Sequence, residues 1–214
     1  MLTVYGRATS SNVQAVMWCI GELGLAYERL DIGHAHGGNR TPDYLSMNPN
    51  GLVPVVRDDG GAPMFESAAI VRYLACKYGD ETFWPREPGV RAQLDMWAEW
   101  IKTSFGPAFG SGVFFPMVIQ PVAQRDHAAI SAAIEKLKPL ALILDARLRE
   151  GPYLDGEHFS FADIICGHLM HRYFTHEFDR ADTPALKSYF EALQARPAYR
   201  EHAMVSYEPL RAKP

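Results

Sequence analysis

Two short stretches of this chain carry residue types suited to recognising a peptide. In the first, Asn48-Pro49-Asn50-Gly51-Leu52-Val53-Pro54-Val55-Val56, a proline heads an apolar β-branched run. Proline has no N–H to give to a ladder, so within sheets it is confined to edges, strand starts and bulges. An X-Pro bond is also the one peptide bond that readily becomes cis. A turn at Val53-Pro54 would leave the N–H and C=O of Val53 unpaired and facing outward. Exposed backbone groups of that kind can accept a peptide as an extra strand. The second stretch is Glu66-Ser67, directly before a predicted helix from Ala68 to Tyr78 with Ile70, Val71, Leu74 and Tyr78 on one side and Gly79 as its stop. Ser67 then lies at a helix N-terminus, where free N–H groups and the macrodipole attract a carboxylate. Glu66 beside it offers an acceptor for an ammonium group. A carboxylate site, an ammonium site and an open strand edge together suit the zwitterionic end of an amino acid within a peptide.

A third group lies at the first strand-to-helix turn, Arg7-Ala8-Thr9-Ser10-Ser11-Asn12-Val13. Ser10, Ser11 and Asn12 are hydrogen-bond donors at the start of a helix. Ser and Asn are preferred caps whatever the function, so this turn acquires a chemical meaning only in company with the other two motifs.

On these motifs the chain resembles the glutathione transferase superfamily, over nearly its whole length. In that family the proline of the Val-Pro motif is cis, the residue before it pairs with the backbone of glutathione's cysteine, and the Glu-Ser pair holds the γ-glutamyl end. Val53, Pro54, Glu66 and Ser67 match those positions one for one. The resemblance implies a donor for the glycyl carboxylate in the segment before the short second helix. Asn39 and Arg40 are the nearest suitable residues, with His36 as an alternative.

Using glutathione requires its thiol to be held as thiolate at neutral pH. A free thiol has a pKa near ~8.5, and lowering it by about two pKa units takes roughly 2.7 kcal/mol of preferential thiolate stabilisation. A hydroxyl donor assisted by N–H groups at a helix N-terminus can supply part of that. In serine-type classes of the resembled family the hydroxyl lies four residues before a trio that Gln14-Ala15-Val16 fits, which selects Ser10. A bacterial branch has Thr there with Asn two positions on, and Ser10 with Asn12 fits that pattern too. Ser11 is the neighbouring candidate, and Tyr5 is the rival hydroxyl of tyrosine-type classes. The family's usual basic residue in this helix is Gln14 here. Cysteine-type classes place a nucleophilic cysteine at this turn and the isomerase class a Ser-Ser-Cys signature, and this chain has neither.

The resemblance therefore implies a serine-type, theta-like or bacterial glutathione transferase, moving alkyl or aryl groups other than methyl in detoxification. Glutathione is its co-substrate, a small hydrophobic electrophile its acceptor, and no cofactor is permanently bound. A homodimer is implied as well. Glutathione-dependent disulfide reductase or peroxidase activity is the alternative, and a non-catalytic binding module that kept only the fold is the second. For the acceptor, Trp100, Phe105, Phe109 and Phe115 are the candidate walls. The segment Phe105 to Met117 is apolar yet carries Gly106, Pro107, Gly110, Gly112 and Pro116, so it is not expected to form one regular helix. His34 and His36, and His168 and His171 at i, i+3 spacing, lack further ligands, and no metal is expected.

The elements that must position these residues divide in two. Leu2 to Tyr5 reads as a strand and Val13, Val16, Met17, Ile20 and Leu23 as a helix stopped by Gly24. Tyr27 to Asp31 is a second strand and Thr41-Pro42-Asp43-Tyr44 the start of a short helix. Val55-Val56 and Met64-Phe65 flank the hairpin signal Asp58-Asp59-Gly60-Gly61. With the helix after Glu66 this order resembles the thioredoxin fold. The expected organisation is an α/β thioredoxin-like domain over residues 1–78, a polar linker over 79–88 and an all-α helical bundle over 89–214. In the helical part Leu94, Trp97, Ile101 and Phe105 form one stripe and Ile130, Ile134, Leu137, Leu144 and Leu148 another. Ser160-Phe161-Ala162-Asp163 is a capping-box-like start, with Phe159 and Ile164 as its staple.

The 214 residues suffice for one large domain or two modest ones, and 48% hydrophobic with 21% charged content is ordinary for a globular protein. A formal net charge of −4 gives no basic patch, which argues against nucleic acid or an anionic membrane surface as partner. Residues 1–20 lack the basic head and apolar run of a signal peptide, and no stretch approaches the ~20 apolar residues of a membrane span. Cys19, Cys76 and Cys166 are odd in number and widely spaced, which suits free thiols in a reducing cytoplasm.

Overall fold

The computed structural model describes residues 1–212. Strands β1 (Leu2–Tyr5), β2 (Tyr27–Leu30), β3 (Val55–Asp58) and β4 (Met64–Phe65) form one sheet in the order β2-β1-β3-β4. β1 runs parallel to β2 and antiparallel to β3, with Tyr5 opposite Leu30 on one side and Val55 on the other. The β3–β4 hairpin is shaped by its turn residues. Asp59 and Gly60 both adopt positive φ, 53° and 75°, and Gly61 donates to Asp58 O at 2.9 Å. Two successive left-handed residues match the right-handed twist of the strands they join.

Around this sheet lie α1 (Ser11–Glu22), α2 (Pro42–Met47) and α3 (Ser67–Tyr78). This is the expected thioredoxin-like α/β layer, and the named elements from α3 onward are all helical. α1 is buried along most of its length, Val13 to Ile20, because it is covered on both sides. One side meets the sheet and α3, and the other meets α7 (Phe161–Gly167) and α10 (Pro197–His202). Trp18 is fully buried at this joint, edge-on to Tyr199 with ring centroids 4.6 Å apart. The joint is close: a Cβ on Gly167 would stand 2.5 Å from Leu193 and 2.8 Å from Trp18. Glu22 at the end of α1 accepts from Trp18 Nε1 and from both Nε and Nη2 of Arg196, a bidentate pair fastening the helical part to the α/β part.

A long helical path begins with α4 (Pro88–Trp100) and continues through Ile101–Phe105, α5 (Gly106–Phe109) and Gly110–Ile119. The expectation that Phe105 to Met117 does not form one regular helix is met. The chain stays helical, but Ile101–Phe105 and Gly110–Ile119 are wound as π-helix, with Pro116 inside the second segment. Gly106 permits the wide turn, since a Cβ there would lie 2.7 Å from Ile101 O. Wound this way, the prolines and glycines deform the helix without ending it, and π-wound turns recur at functional sites.

α6 (His127–Leu148), α8 (Met170–Thr175) and α9 (Pro184–Gln194) complete the bundle. α6 buries Ile130, Leu137, Leu144 and Leu148 from its expected stripe, and its fully buried Asp145 accepts from Leu186 N in the first turn of α9. The capping signal at Ser160 is also realised. The buried Asp163 carboxylate accepts from Ser160 N at 2.9 Å, Ser160 Oγ at 3.2 Å and Leu154 N at 3.0 Å. Phe159 packs against Trp18, Phe83 and Tyr153. Asp163→Ala leaves two buried N–H donors without an acceptor and should cost about 3 kcal/mol. Ser160→Ala should cost about 1 kcal/mol. Urea unfolding midpoints check both, with the aspartate variant expected to fall further.

Candidate functional site

β1 ends at Tyr5 and the chain turns through Arg7 to Ser10 before α1 begins. Ser10 is the N-cap residue in extended conformation, yet its side chain makes no capping hydrogen bond. Its hydroxyl therefore makes no bond to the helix it precedes. The turn is braced by Ser10 N donating to Arg7 O at 3.2 Å and by the buried Gln14, whose Nε2 donates to Ala8 O at 2.9 Å. Gln14 thus holds the loop rather than supplying charge to it.

Asn12 lies in the first turn of α1 and is drawn into a network with two distant segments. Ser67 Oγ donates to Asn12 Oδ1 at 3.1 Å. Lys102 Nζ, from the first π-wound segment, donates to Asn12 Oδ1 at 3.1 Å and to Ser67 Oγ at 3.3 Å. With two donors on its oxygen, Asn12 is left with its NH2 as the donor end. Burial lowers the pKa of Lys102, while Glu66 and Glu99 favour its charged form.

The Val53-Pro54 bond is cis, and the strand ladder begins only at Val55, leaving Val53 outside it. The turn before it is held by the buried Asn48, which donates to Leu52 O and accepts from Asn50 N. Asn39 Nδ2 donates to Gly51 O at 2.7 Å and Arg40 Nη1 to Asn50 O at 3.3 Å, so both residues also brace this turn. Glu66 caps α3 with φ +69° and ψ 108°, a conformation rare outside glycine, and Ser67 comes next as the first, buried residue of the helix. Such backbone outliers persist where surrounding structure over-determines them and cluster at binding sites.

Two concavities meet at the turn. A groove of about 210 Å³ runs past Val53, Leu52, Gly51 and Asn39 to Arg7, Ser10 and Asn12. A cleft of about 380 Å³ begins at the same Arg7, Ser10 and Asn12 and extends between the long helix and α8. Its far walls include Phe114, Phe115 and Ile119, with His168 and Arg172 opposite. The structure thus brings Ser10, Asn12, Val53 and Asn39 together at one groove, with Ser11 and Phe115 on the adjoining cleft. Tyr5 lines neither, nor does His36, which is exposed.

The aromatic candidates separate. Phe115 is 51% exposed on the cleft wall, while Phe105 and Phe109 are fully buried against Tyr173 and line no part of it. Trp100 packs between Trp97 and Phe105, outside the cleft. Cys19 and Cys166 are buried with thiols pushed up by burial, so neither supplies a thiolate. Among the described residues no group of three or more His, Cys, Asp or Glu is placed to hold a metal, and no helix is long and apolar enough to cross a membrane.

Four residues that line the cleft are given no role by reasoning from the sequence: Arg7, Lys102, His168 and Arg172. Arg7 stands within the singled-out turn and Lys102 two residues beyond Trp100. Arg172 carries no local signal, and His168 is visible in the sequence only as half of an i, i+3 pair with His171 that lacks further ligands.

Comparison with known proteins covers both halves of the chain. A family model described as glutathione S-transferase, N-terminal domain, matches residues 4–82, and one described as glutathione S-transferase, C-terminal domain, matches residues 94–197. Glutathione S-transferase GstB of Escherichia coli is 36% identical over 206 residues, which span 96% of this chain and 99% of that one. Disulfide-bond oxidoreductase YfcG of Escherichia coli is 32% identical, with 92% of each chain covered. The crystal structure of the theta class glutathione S-transferase from Xanthomonas axonopodis pv. citri with glutathione bound superposes with a TM-score of 0.91. It is 39% identical, covering 96% of this chain and 98% of that one.

His168 gives the cleft wall a pH signature. It is 1% exposed, its Nδ1 has no partner among the described residues, and burial together with the nearby Lys102 charge depresses its pKa from 6.5 to about 3. Between those values the unfolded chain binds a proton that the folded protein refuses, so His168 makes stability fall as pH drops through that window. His168→Gln should flatten the slope of the urea midpoint against pH between 6.5 and 3. An unchanged slope would show that the imidazole titrates normally.

Proposed function

The chain belongs to the glutathione S-transferase family, on its theta-like bacterial side, and from that premise we propose that it conjugates glutathione to an electrophile at the junction of the groove and the cleft. The observation that carries this reading is that the two concavities share Ser10, Asn12 and Arg7. A thiol brought along the groove arrives where an acceptor in the cleft can meet it.

In this reading residues 1–78 form the glutathione-binding unit, 79–88 the connection and 89–214 the helical unit that closes the acceptor side. Glutathione lies along the groove with its cysteinyl backbone paired to Val53 beside Pro54. Its γ-glutamyl end sits at Glu66 and Ser67, the first N–H groups of α3 facing the carboxylate and Glu66 the ammonium. Its glycyl end lies towards Asn39 and Arg40. The hydroxyl of Ser10, free of any capping bond, donates to the thiolate, with Asn12 NH2 or Ser11 as the second donor. The N-terminus of α1 and the Lys102 ammonium add positive potential at the sulfur, which stabilises thiolate over thiol. The thiolate attacks the electrophilic carbon of an acceptor whose apolar body rests on Phe114, Phe115 and Ile119. Phe105, Phe109 and Trp100 have no part in this acceptor site. We further read the protein as a cytoplasmic, detoxifying homodimer.

A second reading, disulfide reduction, is favoured by the relationship to the disulfide-bond oxidoreductase. With no cysteine at the turn and Cys19 buried, such chemistry would run through the thiols of glutathione itself.

Ser10→Ala should raise the pKa of bound glutathione's thiol by about one to two pKa units, read from thiolate absorbance in the ultraviolet. It should also lower kcat/KM for a chlorinated nitroarene about tenfold to a hundredfold. Unchanged pKa and turnover would transfer the role to Asn12 or Ser11, which the matching alanine variants identify. Turnover of a small disulfide far exceeding conjugation would favour the reductase reading instead.

A further inference from the structure

The cleft beyond Ser10 is more than an apolar slot. Arg172 is 6% exposed yet lines it, and Arg7 lines it as well, from the turn before α1. Neither guanidinium is paired with a carboxylate among the described residues, and the Nε of each is buried without a partner. Arg172 makes one protein hydrogen bond, from Nη2 to Thr9 O at 2.6 Å, and lies over Phe114 at 4.8 Å from the ring centroid. Several other partly buried arginines are matched by carboxylates, Arg29 with Asp31, Arg72 with Asp95 and Glu99, Arg147 with Glu150 and Arg196 with Glu22, although Arg57 and Arg180 are not among them. Burial and the like charge of Arg7 lower the Arg172 pKa to about 10, which still leaves it charged at neutral pH. A buried cation and a half-buried one that repel each other and face a cavity without any carboxylate wall are held at a cost that an anion would relieve.

We propose that the acceptor cleft is built for an electrophile bearing a carboxylate, with Arg172 and Arg7 gripping that group while the apolar body of the acceptor rests on Phe115 and Ile119. This rests on the transferase reading and names the class of its second substrate. The alternative source of the same chemistry is glutathione's own glycyl carboxylate. Arg172 lines the cleft and not the groove past Val53, which favours the acceptor. Lys102 is already engaged by Asn12 and Ser67 on the glutathione side, so it does not compete for this role. With a haloaryl or haloalkyl carboxylate the reaction balances simply. The thiolate sulfur forms a carbon–sulfur bond, the carbon–halogen bond breaks, halide leaves with the electron pair, and the thiol proton passes to solvent.

The test is calorimetric binding of S-(carboxybenzyl)glutathione and its neutral isostere S-(carbamoylbenzyl)glutathione, with glutathione alone as reference. The intact protein should bind the carboxylate conjugate about tenfold to a hundredfold more tightly than the amide. Arg172→Gln should erase that difference and Arg172→Lys retain part of it, with thermal melts reporting whether each variant folds. Equal affinity for the two conjugates in the unaltered protein overturns the proposal without any variant. So does a difference that survives in a folded Arg172→Gln. If that substitution weakens glutathione itself as much as the carboxylate conjugate, Arg172 serves the glycyl end and the proposal falls. Failure of the unaltered protein to bind glutathione would bring down the transferase reading, and this inference with it.

Discussion

The ammonium of Lys102 sits largely buried between the two halves of the molecule, and a charge in that position must be met by oxygens or be expelled. Asn12 Oδ1 and Ser67 Oγ meet it, with Glu66 and Glu99 supplying further negative potential. Those partners come from the first turn of α1, the first turn of α3 and the helix entering the bundle. Satisfying one cation therefore fixes how three helices converge, and the point of convergence is where the groove and the cleft meet. The first π-wound segment carries Lys102, so the irregular winding of the long helix lies within the geometry of the site.

α1 is the element through which fold and site are coupled. Its buried face from Val13 to Ile20 joins sheet, α3, α7 and α10, and its far end is fastened by Glu22 to Arg196. Its near end presents Ser10, Ser11 and Asn12. Rigid packing along the helix thus holds the donors at its N-terminus, as preorganised donors require if they are to stabilise developing or resident charge. The same joint brings Arg172 of α8 within reach of Thr9 O, so the helical half contributes charge as well as walls.

The α/β layer is legible in the sequence because its signals are local. The Asp58-Asp59-Gly60-Gly61 hairpin, the Thr41 cap with Pro42 at the first helical position, and the Val53-Pro54 turn each arise from φ restriction or from a missing N–H, which neighbouring residues alone settle. Ser160 and Asp163 are legible for the same reason. The segment from Phe105 to Met117 is only half so. Its glycines and prolines announce irregularity, but helical periodicity does not anticipate π-winding, and it turns Phe105 and Phe109 towards the cleft when they belong to the core. Gln14 stands where the family usually has a basic residue, and only its bond to Ala8 O reveals it as a loop brace.

The sequence by itself determined the open turn at Val53-Pro54, the helix-terminal pair Glu66-Ser67, the donor-bearing turn at Ser10 to Asn12, and through them the family. Each depends on backbone chemistry within a few residues. Only the folded molecule decided that Lys102, His168 and Arg172 surround those donors, that the cleft carries unpaired positive charge, and that Phe115 rather than Phe105 or Phe109 faces it. Those outcomes depend on which side of one helix meets another between residues 35 to 163 positions apart in the sequence, and side-chain periodicity along a single segment carries no record of that.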